Sequence, residues 1–170
     1  DRAAHLKATH HVNLAHGLGV DVLRSLVPGA VIGCVHNNQQ VIPETETPEN
    51  RAASDLLDAF WNGAFPDPQN LGHYPPWLAQ QIEPYVRAGD MARICRPCDW
   101  FGLNHYGPIF CKSDPNNIWG FGWGSAPDDA PKSDIGWPIF PEMFAEELKG
   151  LTGRYKLPIY VTENGYGAHE

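Results

Sequence analysis

Three short apolar runs, each closed on its C-terminal side by polar residues, constrain this chain more than any other feature. They are Ala30-Val31-Ile32-Gly33-Cys34-Val35-His36-Asn37, Asp99-Trp100-Phe101-Gly102-Leu103-Asn104-His105-Tyr106 and Leu157-Pro158-Ile159-Tyr160-Val161-Thr162, the last followed at once by Glu163-Asn164-Gly165. Runs of this length, bounded by turn residues, read as buried strands. Between and before them the apolar spacing is helical. Leu6, Val12, Leu14, Ala15, Leu18, Val22 and Leu23 recur at three and four residue steps over 2–24, with Gly17 and Gly19 weakening the middle. Thr47-Pro48-Glu49-Asn50 offers an N-cap hydroxyl, a first-turn proline and a first-turn acid, so a helix starts there and buries Ala52, Ala53, Leu56, Leu57 and Phe60. Phe65-Pro66-Asp67-Pro68 breaks it, and a short helix near Leu78 to Val86 follows. Met143, Phe144 and Leu148 give 141–151 a helical face, with Gly150 as a stop signal. Helix and strand therefore alternate, the pattern of parallel strands joined by covering helices. Ligands in such folds bind at the carboxyl ends of the strands, so Asn37, Asn104, Tyr106 and Glu163 should converge on one rim.

With 12 Lys and Arg against 20 Asp and Glu, the formal charge is -8, the wrong sign for binding driven by phosphate neutralisation, so no nucleic-acid partner is expected. No run approaches the ~18 apolar residues of a membrane helix, so no membrane partner is expected either. Gly and Pro are abundant at 17 and 16, but six Trp, six Tyr and seven Phe argue for a folded, loop-rich chain. Four scattered cysteines, Cys34, Cys95, Cys98 and Cys111, are too few for a disulfide scaffold and read mostly as free thiols. With no basic and apolar leader and no glycosylation sequon, a cytoplasmic setting is expected, and a start at Asp1 rather than Met implies that the gene product begins further upstream.

Alternation along the third strand puts Ile159, Val161 and Glu163 on one face, expected to be the inner one, and Tyr160 and Thr162 on the other. A carboxylate at the mouth of an apolar interior needs donors, and Asn104 and Tyr106 offer an amide and a phenol from a common face. Hydrogen bonds to the ionised form keep a carboxylate charged at neutral pH, which suits a nucleophile. Taken alone, Glu163 reads more readily as a loop cap or the partner of a surface lysine than as a catalytic group.

The local strings carry a resemblance. Ile159-Tyr160-Val161-Thr162-Glu163-Asn164-Gly165 resembles the I-x-[VI]-T-E-N-G signature of glycoside hydrolase family 1, the β-glucosidase family. Phe101-Gly102-Leu103-Asn104-His105-Tyr106 is similar to its D-F-[IL]-G-[LI]-N-Y-Y strand, and Ser133-Asp134-Ile135-Gly136-Trp137-Pro138 to its D-M-G-W segment. His10-His11-Val12-Asn13-Leu14-Ala15-His16-Gly17 and the pair Asp67-Pro68 with Gly72-His73-Tyr74-Pro75 resemble two further family strings, so the likeness spans the chain in order. It implies a (β/α)8 TIM barrel of which 1–170 supplies one part, about strands five to seven with their helices, and no second domain. Such barrels take ~250 residues. It also implies retaining hydrolysis of a small β-glycoside or oligosaccharide substrate without any cofactor. In that scheme Glu163 is the nucleophile, Tyr106 orients it and keeps it ionised, Asn104 flanks it, and Trp137 and, less directly, Asn37 line the leaving-group side. His105 replaces the usual first Tyr of N-Y-Y and alternates away from the site. The family's N-E-P acid/base string does not occur in the sequence, so the isolated chain should show little or no turnover and should seek the complementary remainder of the barrel.

Other features read as structural. Cys95-Arg96-Pro97-Cys98 has no second ligand pair, and His5, His10 and His16 do not share one helix face, so no metal site is expected. Gly120-Phe121-Gly122-Trp123-Gly124 lacks the flanking elements of a phosphate loop and reads as a flexible aromatic rim loop. Glu44, Glu46, Glu49, Asp55 and Asp58 read as helix-start and solvent-face charges. A carbohydrate-binding relative that holds sugar on Trp119, Trp123 and Trp137 without cleaving it, or an inactive fragment of a hydrolase, is the alternative.

Overall fold

The computed structural model describes residues 1–169. Helix α1 (Arg2–Leu26) is started by Asp1, whose carboxylate accepts from the Ala3 N–H at 3.0 Å. Gly17 sits inside this helix for a reason other than termination. A Cβ there would lie 1.8 Å from the Arg93 carbonyl oxygen, so the glycine lets α5 (Asp90–Ile94) press on the backbone of α1.

Strand β1 (Gly33–Asn37) is followed by β2 (Val41–Pro43) and by α2 (Pro48–Trp61), which starts as its signals predict, Thr47 Oγ1 accepting from the Asn50 N–H. Pro66-Asp67-Pro68 does more than break a helix. It begins α3 (Pro66–Asn70), because the fixed φ of proline suits a first helical turn. Helix α4 (Pro76–Ile82) runs into a 3-10 turn at Glu83–Tyr85, and β3 (Trp100–Asn104) follows α5.

The aperiodic stretch after Tyr106 holds two strands, β4 (Ile109–Ser113) and β5 (Phe121–Trp123), paired antiparallel, with β2 parallel to β4. Gly120-Phe121-Gly122-Trp123-Gly124 is therefore part of a small sheet and not a flexible rim loop. Strands this short, separated by Pro, Gly and Asp, leave no alternation to read. Helix α6 (Pro141–Tyr155) likewise passes through Gly150, the expected stop, and ends at Lys156 in the left-handed region with φ 55°. A glycine facing open space costs a helix only about 1 kcal/mol, which packing overrides. Strand β6 (Ile159–Glu163) completes a parallel sheet of order β1-β3-β6.

One face of this sheet is covered. Phe101 and Leu103 of β3 pack with Ile159 of β6 and with Leu151 and Tyr155 of α6, the Phe101 and Tyr155 rings stacked at 5.1 Å. Ala53 and Leu57 of α2 pack on Ile109, Cys111 and Phe121 of the small sheet, and Leu6 of α1 packs with Tyr74, Leu78 and Ile82. A buried charge ties α3 to α6: Asp67 accepts from Arg154 Nε at 2.9 Å, from Arg154 Nη2, and from Tyr155 Oη at 2.7 Å. On the other face of the parallel sheet, Trp100 lies across Gly33, where a Cβ would meet the indole at 1.9 Å, and Val35 and Tyr160 are exposed.

Candidate active site

The carboxyl ends of β1, β3 and β6 bring Asn37, Asn104 and Glu163 side by side, in register across the three strands. The face on which Glu163 lies differs from simple alternation. Phe101 pairs with Ile159 and Leu103 with Val161, and neighbours in a parallel register share a face, so Ile159 and Val161 belong to the helix-covered side rather than the inner one. Tyr160 faces the other way, its ring 5.1 Å from Trp100. Between Leu103 and Asn104 the register then slips, so that Asn104 pairs with Glu163 and Thr162 is the extra residue. This bulge re-aims Glu163 to the face that carries Trp100 and Tyr160.

Two bonds hold the bulge. Thr162 Oγ1 donates to Asn104 Oδ1 at 2.7 Å, and the His105 N–H donates to the Glu163 carbonyl at 2.9 Å. Asn104 thus touches the residue before Glu163 and not its carboxylate. The carboxylate partner is Tyr106, whose Oη donates to Glu163 Oε2 at 2.5 Å. That bond pushes the phenol above its usual range, since the neighbouring carboxylate favours the protonated hydroxyl. Glu163 is solvent-exposed on the open face of the sheet, so the buried setting expected for it is not found within these residues. His105 does turn away, as alternation predicts: it is buried, its Nδ1 lies 3.0 Å from the Asn38 carbonyl, and its ring stacks on Phe144 at 5.1 Å. Asn164 Nδ2 donates to the His105 carbonyl at 2.8 Å and so fixes the chain beyond Glu163.

Beside this pair opens a cleft of about 670 Å³ lined by Asn37, Tyr106 and Trp137, and also by Gln39, Trp123 and Asp128. The Trp137 ring stands edge-on to Tyr106 at 5.6 Å and is held by a turn in which Ser133 Oγ accepts from the Trp137 N–H at 3.1 Å. Gln39 and Asp128 carried no sequence signal, because their place depends on the small sheet, which periodicity does not reveal. Trp119, considered with Trp123 and Trp137 as a sugar platform, is instead packed against Phe60 at 4.9 Å and His5 at 5.4 Å, with Arg2 over its ring.

The remaining sequence candidates sit in structural roles. His10 is buried, with Nδ1 3.0 Å from Tyr74 Oη and Nε2 3.0 Å from Asp90, and His16 reaches the Arg96 carbonyl. All four cysteines are free thiols. Among the described residues no group of three or more His, Cys, Asp or Glu is placed to hold a metal ion, and no helix is long and apolar enough to cross a membrane.

Comparison with known proteins gives this arrangement a context. A beta-glucosidase of Agrobacterium sp. (strain ATCC 21400) is 36% identical over 171 residues, covering 95% of this chain and 37% of that protein. The solved structure of the virulence factor SghA from Agrobacterium tumefaciens superposes with a TM-score of 0.87 at 35% identity, covering 99% of this chain and 39% of that one, and the same protein has been solved with its substrate analog salicin. The family 1 b-glucosidase from Thermotoga maritima gives a TM-score of 0.85 at 30% identity and covers 99% of this chain and 39% of that one. The chain spans less than two-fifths of the length of these relatives, and its sheet and helices are one α/β portion of their fold. The family model for glycosyl hydrolase family 1 matches residues 1–170, and the chain belongs to that family.

Proposed function

We propose that this chain is the nucleophile-bearing part of a retaining β-glycosidase of the β-glucosidase type, contributing about the fifth, sixth and seventh strands of a (β/α)8 barrel. The observation that carries the reading is the bond from Tyr106 Oη to Glu163 Oε2 at the carboxyl ends of β3 and β6, beside a cleft with an aromatic wall. Donation to the ionised carboxylate is what a nucleophile at neutral pH requires. In the first step a Glu163 carboxylate oxygen attacks the anomeric carbon. The bond from that carbon to the leaving oxygen breaks, and a carboxylic acid carried by another stretch of the barrel delivers its proton to that oxygen. In the second step that group takes a proton from water, the water oxygen attacks the anomeric carbon, and the Glu163 carboxylate departs. Retention requires the two carboxyl groups ~5 to 5.5 Å apart, so the acid/base stands on the same rim.

Asn104 is a positioning residue here. It holds Thr162 and through it the bulge that aims Glu163. Trp137 forms the wall on the leaving-group side and Asn37 the neighbouring polar edge. The substrate is a small β-glucoside or oligosaccharide, consistent with the glucosidase names of the relatives, and the complementary remainder of the barrel is the partner that closes the site.

Treating the intact gene product with a 2-fluoro glucoside bearing a good leaving group, then mapping peptides by mass, tests this. The adduct is expected on Glu163, with no turnover from the 170-residue chain alone. An adduct on another carboxylate refutes the assignment.

A further inference from the structure

The cleft has more aromatic wall than one leaving-group ring needs. Trp137 stands against Tyr106, the partner of Glu163, whereas Trp123 lines the same cleft from β5, on the separate small sheet. Trp123 is 64% exposed and yet is not loose. Its backbone is paired to Cys111 of β4, and its ring meets Trp61 edge-on at 5.9 Å. Ser125, two residues on, is anchored by its N–H to Glu44 Oε1 at 2.7 Å, so the segment after Trp123 is also tied to the loop beyond β2. A large indole fixed on a paired strand and left facing a cleft is an unfilled apolar surface, and Gln39 and Asp128 place polar groups along the same walls. Apolar faces edged by hydrogen-bonding groups match a pyranose ring, whose faces are C–H and whose rim is hydroxyl. A volume of about 670 Å³ lies within the range that accepts ligands larger than one ring.

We propose that Trp123 is a specificity-determining residue that stacks on the second sugar ring beyond the scissile bond, so that the site discriminates in favour of β-linked oligosaccharides of three or more units. Trp137 serves the ring next to the bond and Trp123 the ring after it. This rests on the reading of Glu163 as nucleophile only for its catalytic consequence, because stacking on Trp123 needs no bond cleavage.

The test uses the intact gene product with Trp123→Ala and Trp123→Phe. For hydrolysis of a β-1,4-linked glucotriose, Trp123→Ala should lower kcat/KM by about tenfold, the loss of one aromatic contact. With glucobiose and with methyl β-glucoside it should change little, and Trp123→Phe should recover most of the lost preference. Hydrolysis of the covalent glycosyl-enzyme, which follows departure of the leaving group, should be unaffected and so reports that the variants are folded. An equal loss on all three substrates, or an unchanged trisaccharide preference, overturns the proposal. Binding of the trisaccharide to the Glu163→Gln protein, followed by tryptophan fluorescence, separates the two claims. Trp123-dependent binding, together with an intact wild-type protein that shows no hydrolase activity, would refute the proposed function and leave this one standing. Binding that ignores Trp123 would refute this one alone.

Discussion

Replacing Glu147 by glutamine should abolish a pH dependence of stability that has nothing to do with catalysis. Glu147 lies on α6 and is only 9% exposed, beside a cavity of about 590 Å³ also lined by Asp58 of α2, by Asn62 at the end of that helix and by Arg154. Burial raises its carboxyl from the usual 4.5 to about 7, and the negative charge of Asp58 adds to the effect. Arg154 opposes the shift, but its guanidinium is committed to Asp67 and cannot neutralise Glu147 as well. Since the folded pKa exceeds the unfolded one, the native state holds an extra proton between pH 4.5 and 7, and stability falls as pH rises through that window. A shift of this size corresponds to about 3 kcal/mol, fully present near pH 4 and lost above pH 8. Glutamine imitates the protonated acid. Thermal unfolding of the intact protein and of Glu147→Gln, followed in parallel from pH 4.5 to 9, should therefore give coincident midpoints at the acid end. At the alkaline end the variant should be the more stable. Other groups titrate in this range, among them His36, lowered by burial to about 4, but they are common to both proteins and cancel in the difference. Two curves separated by a constant offset over the whole range would refute the reasoning.

Tyr106→Phe removes the donor to Glu163 and should reduce kcat/KM for glycoside hydrolysis by about ten- to a hundredfold, the range for a hydrogen bond to a charged group, as measured with an aryl glucoside. An undiminished rate would show that the phenol does not act on the carboxylate. Arg154→Met leaves the fully buried Asp67 with Tyr155 as its remaining side-chain donor among the described residues; denaturant unfolding should show a loss of about 2 to 3 kcal/mol, below the usual cost of breaking a buried pair because Arg154 is itself half exposed. Two alanine substitutions in α1 should act in opposite directions. Gly17→Ala forces α5 away and should cost about 1 to 3 kcal/mol, whereas Gly19→Ala meets nothing and should add up to about 1 kcal/mol, both read from unfolding midpoints.

Which parts were legible in the sequence follows from the range of the interaction that decides them. Local chemistry wrote the start of α2, where Thr47 and Pro48 act within one turn, and the polar ends of β1, β3 and β6 were visible as composition. The small sheet was invisible because β2 and β5 are three residues long and the partner of β2 lies far along the chain. The bulge at Thr162 was invisible for a related reason. Counting by twos assigns faces correctly to Ile159, Val161 and Tyr160 relative to one another, but the register slip reverses the relation of Glu163 to them, and that slip is fixed by Asn104 on another strand. The motif singled out Glu163 without reference to its face, while the alternation rule predicted the wrong neighbours for it.

The same geometry explains why these residues make a site only in part. The sheet order leaves β1 and β6 as its two edges, and the face that carries Glu163 also carries the exposed Val35 and Tyr160. On α1, Val12, Leu18, Val22 and Leu23 are exposed together, an apolar side that a helix in water does not normally present. Around the cavity beside β1, His36 Nε2, Trp61 Nε1 and Gln69 Oε1 are buried without a hydrogen-bond partner among the described residues. Open edges, apolar faces and orphaned polar atoms are each costly by themselves, and here they fall on the sides where a closed barrel would continue. The Tyr106 to Glu163 bond, by contrast, is complete within the chain. The segment thus holds Glu163 already aimed, and on the proposed function what it requires from the rest of the barrel is a dry wall, a second carboxyl group and partners for these three buried polar atoms.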